Sequence, residues 1–398
     1  IGRVKNDKMM HVKQGRKTIA LLPADFVACA PLLDRKKSKP KYLQKLKTFK
    51  NVKNISNYSK IILKLLSSPN IASKHWVFRQ YDHEVGIRTV VKPGFDASVL
   101  RLDNGKHLSV KIDGNPKHCY LNPRDGAIGC FEEACRNVVC TGATPIGMVD
   151  HLQFGNPEDP EIFWTFMESL EGLTDFAKFL KIPCVGGKVS FYNETPSGPI
   201  KPTPLIGVLG IINKTPLHPT SPKSGDYLVI VGRTNNELGG SEYFEYIDNF
   251  IGGICPTVDF KSSKLNMSTV LSLIKQDLVK SIHDCAKGGI SIAISEMSIF
   301  GGIGCNIDIE KAPSEKNLNF EQLLFSESHS RYLLVVTQKN IKKVKQILSK
   351  KKNPFGVLGS FSSDQISIKH KSKNLMKVSV DTAQRKYFNA LEEILDNG

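Results

Sequence analysis

At 398 residues the chain is too long for one ordinary core, so two or three domains are expected. Apolar content of 40% and charged content of 23% describe a globular protein and exclude a disordered or fibrous one, and there is no apolar run of the length that crosses a membrane as a helix. The net charge of +17 raises nucleic-acid binding, but eleven Lys or Arg and no acidic residue lie between Arg35 and Lys64, which reads as a solvated linker and not as a base-reading surface with interleaved aromatics.

In chain order, residues 1–34 read as short strands and turns, with Thr18 to Leu22 the best strand. They are expected to be the tail of a preceding domain, since the sequence also lacks an initiator Met. Residues 35–73 form a basic linker and an apolar helical turn, Ile61 to Leu66, stopped by Ser67-Ser68-Pro69-Asn70. A compact domain is expected over 74–214. Leu108 to Ile112 ends in Asp113-Gly114-Asn115-Pro116, a strand closing on a carboxylate. Phe131, Ala134, Cys135, Val138 and Val139 then share one helical face, which leaves Glu132-Glu133 and Arg136-Asn137 on a solvated one. Asp159 caps a long packed helix with Pro160 in its first turn. Leu205 to Ile212 is an apolar strand and Asn213 to Gly225 the boundary.

A second domain, 215–398, holds a strand at Leu228 to Gly232, helices over Val270 to Lys280 and Ile290 to Phe300, strands at Tyr332 to Val336 and Val357 to Phe361, and a closing amphipathic helix, Thr382 to Leu395. His283 and His329 read as structural histidines. The nine cysteines are scattered with no C-x-x-C, so neither a zinc site nor a disulfide framework is indicated, and a cytoplasmic location is expected.

The chemistry concentrates between Ile146 and Glu194. One apolar run, Ile146 to Val149, stops at Asp150; a second, Ile182 to Val185, opens into Gly186-Gly187-Lys188-Val189-Ser190. Read as a strand end and a glycine turn, these place a carboxylate beside backbone that a phosphate can approach, with the Lys188 charge to hand. Lys188 is followed by Val189, so this is not a P-loop.

The segments Arg79-Gln80-Tyr81-Asp82-His83-Glu84, Asp113-Gly114-Asn115-Pro116, Arg136-Asn137-Val138-Val139-Cys140-Thr141-Gly142, Phe154-Gly155-Asn156-Pro157, Val189-Ser190-Phe191-Tyr192-Asn193-Glu194, Glu237-Leu238-Gly239-Gly240-Ser241-Glu242 and Phe325-Ser326-Glu327-Ser328 together resemble the small-type phosphoribosylformylglycinamidine synthase family. The resemblance implies an α/β (α+β) fold like that of aminoimidazole ribonucleotide synthetase, with two α/β domains forming one repeat of a pseudo-symmetric pair. The chain corresponds to the second repeat plus the tail of the first.

The implied activity is an ATP-dependent ligase step of purine synthesis, in which the amide oxygen of formylglycinamide ribonucleotide is phosphorylated and ammonia displaces phosphate. By resemblance, Asp150 and Gly187 contact ATP and Ser190 contacts the ribonucleotide. Lys188 stands where Asn usually helps bind magnesium. His83 is the pseudo-equivalent of a catalytic His expected in the missing repeat, and Asp113 is a further candidate. The implied partners are the first repeat, a glutaminase subunit and a small bridging subunit. The competing reading is a non-catalytic, nucleotide-holding scaffold.

Overall fold

The structure is a computed structural model that describes residues 1–29, 33–46, 55, 57–217 and 221–396. Much of the basic linker, 47–54 and 56, and part of the expected boundary, 218–220, lie outside those residues. Among the described residues no helix is long and apolar enough to cross a membrane.

Two mixed sheets organise the chain. The first has six strands in the order Thr89–Val91, Ser98–Arg101, His107–Asp113, Thr203–Ile212, Thr144–Gln153, Cys184–Ser190. Its centre is Thr203–Ile212, antiparallel to both neighbours, so that Ile206 lies opposite Asp113 on one side and Asp150 on the other. Only the last pair is parallel, and the 21-residue helix Pro160–Leu180 makes the crossover that a parallel connection requires. Asp159 accepts a hydrogen bond from Glu161 N at 2.7 Å and Pro160 occupies the first turn, so the start of this helix is fixed locally.

The second sheet has seven strands in the order Ser281–Asp284, Tyr332–Val336, Tyr227–Val231, Phe355–Phe361, Cys305–Asp308, Gln365–His370, Lys373–Ser379. Its central strands are buried on both faces, and their alternation feeds two cores. Val229, Val231, Tyr332, Leu334 and Val336 join a core shared with the first sheet, while Leu228, Ile230, Leu333 and Val335 face a second core. The shared core is built around the helix Pro123–Cys140, with Val138 and Phe131 fully buried. The second core is closed by Tyr58–Leu66, Gly289–Gly301 and Val380–Asp396.

Three expectations change. Asp150 does not end a strand: Thr144–Gln153 continues three residues beyond it, and Gly186, Gly187 and Lys188 are strand residues, not a turn. The apolar runs marked only the N-terminal part of each strand, and parallel pairing carries the ladder onward through glycines that a propensity argument assigns to turns. Nor is the polar face of the helix solvated. Glu132, Glu133, Arg136 and Asn137 are all buried, because the second domain covers them.

The third change concerns elements with weak apolar patterns. Helix Phe260–Lys275 begins ten residues before the expected start, capped by Asp259, which accepts from Ser262 N at 2.7 Å. The hairpin Met9–Gln14/Lys17–Pro23 is almost wholly exposed and Gln365–His370/Lys373–Ser379 is mostly polar, and only one of their four strands was visible in the sequence. Each hairpin leads directly into a helix, Ala24–Ala28 in one case and Val380–Asp396 in the other.

The short helix Pro116–Leu121 packs backbone to backbone on the central helix at Gly126, where a Cβ would lie 2.4 Å from Cys119 N and 2.6 Å from Cys119 Cα. Neither contact belongs to a side chain that can swing away. Gly126→Ala is therefore expected to destabilise the chain by about 1–3 kcal/mol, and an unchanged denaturant midpoint would show that the two helices do not meet there.

Candidate functional site

Asp150 and Gly187 lie directly opposite each other on the two parallel strands. The approach is close enough that a Cβ at position 187 would sit 2.3 Å from Asp150 Oδ1, so any larger residue here would have to displace the carboxylate. Asp150 shares a face with Met148 and opens into a groove of about 460 Å³ between the helix Pro160–Leu180 and the edge strand, lined also by Leu170, Leu173, Ala177 and Cys184. Cys184 Sγ is 3.6 Å from Asp150 Oδ2. Apolar walls around one carboxylate and exposed backbone suit a flat, partly apolar ligand bearing a polar edge.

Lys188 and Ser190 belong to the other face. Their cross-strand partners are His151 and Gln153, and strand alternation turns them away from the groove. Ser190 Oγ lies 3.4 Å from Asn193 Oδ1 and 3.2 Å from Asn193 Nδ2, and Asn193 also ties this corner to Phe154 O at 3.0 Å. This face carries exposed Ile112, Ile146, Val149 and Val185, and Lys188 is itself exposed. The four expected ligand contacts are thus divided between the two faces of the sheet at its last two strands, and among the described residues no strand pairs with the outer edge of Cys184–Ser190.

The other two candidates lie elsewhere. His83 is in the loop before Thr89–Val91, with Nδ1 3.2 Å from Tyr81 O and its ring edge-on to Phe78. Asp113 ends its strand, as expected, but points at the second domain, where Lys287 Nζ lies 3.5 Å from its Oδ1.

That interface holds a group of charges which reading the sequence missed. Arg136, fully buried, contacts Glu132 on its own helix and Asp284 Oδ2 of the second domain at 3.1 Å. Asn137 Nδ2 donates to the same Asp284 oxygen at 3.2 Å. His283 Nδ1 meets Asp96 Oδ1 at 3.0 Å and its Nε2 meets Glu296 Oε2 at 3.1 Å, while Asp284 N donates to Asp96 Oδ1 at 3.0 Å. These groups border a cavity of about 250 Å³ between the two domains. The clue in the sequence was Glu-Glu-x-x-Arg-Asn set among Ala, Cys and Gly, small residues that let a second layer approach the helix closely.

The charges follow from burial and pairing. Burial alone would lower His283, but Asp96 and Glu296 hold it well above the usual histidine range, so it is an imidazolium. Burial would raise Asp96, and the same imidazolium and its hydrogen bonds bring it down to about 2. Glu133 is pushed up to about 7, first by burial and then by Asp113. His329 is the opposite case from His283: burial, then Arg136 and His118, keep it well below the usual range, and it packs neutral against Gly129.

The family model described as AIR synthase related protein, N-terminal domain, matches residues 94–212, and the corresponding C-terminal domain model matches residues 223–371. This chain belongs to the AIR synthase related family. It is 40% identical over 382 residues to a phosphoribosylformylglycinamidine synthase subunit PurL from Thermococcus sibiricus, covering 95% of this chain and 52% of that protein. A PurL subunit from Methanocaldococcus jannaschii is 38% identical, covering 99% and 54%. The chain therefore spans about half the length of the curated relatives it matches. Among solved structures, Thermotoga maritima PurL complexed with FGAR superposes with a TM-score of 0.68 at 19% identity, covering 82% of this chain and 53% of that one. The same protein complexed with ATP gives 0.66 at 18%, covering 82% and 52%. At those identities the structures speak to the fold.

In this AIR synthase related chain the group of ligand-type atoms within 4.8 Å of one another, among the described residues, is Asp96, His283 and Asp284. Its members are already matched to His283, Arg136 and Asn137, so the group acts as an ionic clamp between the domains. The sign of its pH dependence is fixed by the raised histidine: the stabilisation is complete below the unfolded pKa of about 6.5 and is lost as pH rises through the higher folded value. The depressed Asp96 keeps its contribution above about pH 4 and loses it as pH falls toward 2. His283→Gln is expected to cost about 2–4 kcal/mol at pH 6 and less at strongly alkaline pH, where the wild-type ring has released its proton. Equal losses at both pH values, measured by denaturant unfolding, would remove the charged clamp.

Proposed function

We propose that this chain forms one half of a cytoplasmic, ATP-dependent carbon–nitrogen ligase that converts formylglycinamide ribonucleotide to formylglycinamidine ribonucleotide in purine synthesis. The observation that carries the reading is the edge strand Cys184–Ser190. It is exposed along nearly its whole length, with the Asp150–Gly187 pair on one face and Lys188 and Ser190 on the other, in a chain about half as long as the PurL relatives. A ligand site made of one exposed strand is a wall that needs an opposite wall. The exposed apolar residues on the same sheet face, Ile112, Ile146, Val149 and Val185, are suited to bury against such a partner.

In this reading the domains run over 74–214 and 215–398, preceded by a tail of the first repeat over 1–34 and a linker over 35–73, and the opposite wall is the first repeat. ATP lies against Asp150 and Gly187 and the ribonucleotide against Ser190. The γ-phosphoryl group passes to the substrate's amide oxygen, and ammonia then forms the new carbon–nitrogen bond as phosphate leaves. Such chemistry is served mainly by positioning and by charge neutralisation in a water-poor site. A glutaminase subunit would supply the ammonia and a small bridging subunit would join the assembly, a composition consistent with the Thermotoga maritima structure described as PurLQS. Magnesium does not fit at Lys188, because a protonated ammonium has no lone pair to give a metal. We assign Lys188 instead to the phosphates as a point charge.

A scaffold reading is favoured by one observation, the internal pairing of Asp284 with Arg136 and of Asp96 with His283 at the domain seam. The two readings separate on reconstitution. With ATP, formylglycinamide ribonucleotide and ammonium, the 398-residue chain alone is expected to give no amidine, and addition of the preceding half in trans is expected to restore turnover. Product from the chain alone would defeat the half-site proposal.

Within the reconstituted enzyme, Asp150→Asn should lower kcat/KM by about 30–1000-fold, the loss of roughly 2–4 kcal/mol typical of a site-facing charge or donor. Lys188→Met should weaken ATP binding and Lys188→Asn should raise the magnesium requirement. Unaltered nucleotide affinity and magnesium dependence in both Lys188 variants would place that ammonium in solvent.

A further inference from the structure

Lys287 enters the domain interface by an unusual backbone route. It precedes Gly288 and Gly289, both in the left-handed region at φ of 75° and 70°, and Gly288 N is held by Glu327 Oε1 at 2.8 Å. A Cβ on Gly289 would lie 2.6 Å from Leu324 O, so this bend is available only to glycine. The bend delivers the ammonium between two carboxylates of the other domain, 3.5 Å from Asp113 Oδ1 and 3.5 Å from Glu133 Oε1. Asp113 comes from the end of a strand and Glu133 from the central helix, and both are at least nine-tenths buried.

Three features describe what the ammonium does there. A charge-assisted N–H···O bond normally closes to about 2.7–2.9 Å, so one cation is shared loosely between two acids and fits neither closely. Asp113 Oδ2 is buried with no hydrogen-bond partner, an acceptor left over after Lys287 has taken its place. The nest also adjoins the interdomain cavity, whose walls include Glu133, Asn137, Asp284 and Lys287 itself. Oxygen donors from separate elements, a spare acceptor and adjoining space for water are the requirements of a hard divalent cation.

We propose that the ammonium of Lys287 occupies the cation position of a divalent-metal site formed by Asp113 and Glu133, and that removing it opens that site. The lysine joins the domains as a bound ion would, without depending on a metal supply. The inference does not rest on the ligase reading, since it concerns only how the two domains of this chain are held.

The test is made on the full 398-residue chain with Mn²⁺ as the probe. Lys287→Ser is expected to bind one Mn²⁺ at least tenfold more tightly than wild type, read by the loss of the free-ion paramagnetic resonance signal, and to gain thermal midpoint on Mn²⁺ addition where wild type gains none. Lys287→Met, which fills the space without charge, should show neither effect, and Lys287→Ser/Glu133→Gln should lose the binding. A Lys287→Ser chain that folds only with Mn²⁺ present supports the proposal equally. Equal Mn²⁺ affinity in wild type and Lys287→Ser, binding that survives Glu133→Gln, or a Lys287→Ser chain that stays unfolded at every Mn²⁺ concentration would each overturn it.

Discussion

The burial of Arg136 constrains the rest of the structure. A guanidinium removed from water is tolerated only where carboxylates and hydrogen-bond acceptors replace its hydration. Glu132 and Glu133 on the same helix supply part of that shell, and Asp284 supplies the remainder from the other domain. The helix Pro123–Cys140 can therefore be stable in its buried place only when the strand Ser281–Asp284 is beside it. Ser263 Oγ and Ser330 N, which contact Glu132 at 3.1 and 3.4 Å, add two more elements of the second domain to the same helix. The domains are one folding unit at this seam, since separating them leaves a charge without partners on each side.

Apolar packing reinforces the polar seam. Alternate residues of Tyr227–Val231 and Tyr332–Val336 enter the core that the first sheet also uses, so the second sheet completes the first domain's interior. One face of the first sheet is thereby occupied by its own helices and the neighbouring domain. The other face carries the exposed Ile112, Val149 and Val185, and the edge strand is exposed along nearly its whole length. Asp150 lines a groove under a helix with Gly187 opposite it, while Lys188 and Ser190, one and three residues beyond Gly187, face the other way: a strand cannot turn consecutive side chains to the same side.

Much of this was legible in the residues. The cap and proline at Asp159-Pro160, the apolar strands Leu205 to Ile212 and Tyr332 to Val336, and the closing helix all carry local signals that tertiary packing did not override. The strand continuations through Asp150 and Gly187 were not legible, because a ladder is extended by its partner strand and the partner is distant in sequence. The buried polar face of the central helix was also hidden. Charge on a helix normally means solvent, and nothing local distinguishes Glu132 and Arg136 facing water from the same pair facing Asp284, which lies 148 residues away from Arg136. Motif resemblance named Asp150, Gly187, Lys188 and Ser190 as candidates, and the strand register divides them between two faces.

The two polar regions differ in a way that bears on function. At the interdomain seam each acidic cluster has an internal cation: Arg136 for Glu132 and Asp284, His283 for Asp96 and Glu296, Lys287 for Asp113 and Glu133. Groups matched in this way have little to offer a ligand, since binding one must first break an existing pair in a poorly solvated place. At the sheet edge Lys188 is exposed and Asp150 and Ser190 are half-buried, and among the described residues no ion pair to an opposite charge holds them. Binding there costs no internal ion pair. The charges are thus divided by position, with the internally matched pairs at the seam and the accessible polar groups at the edge.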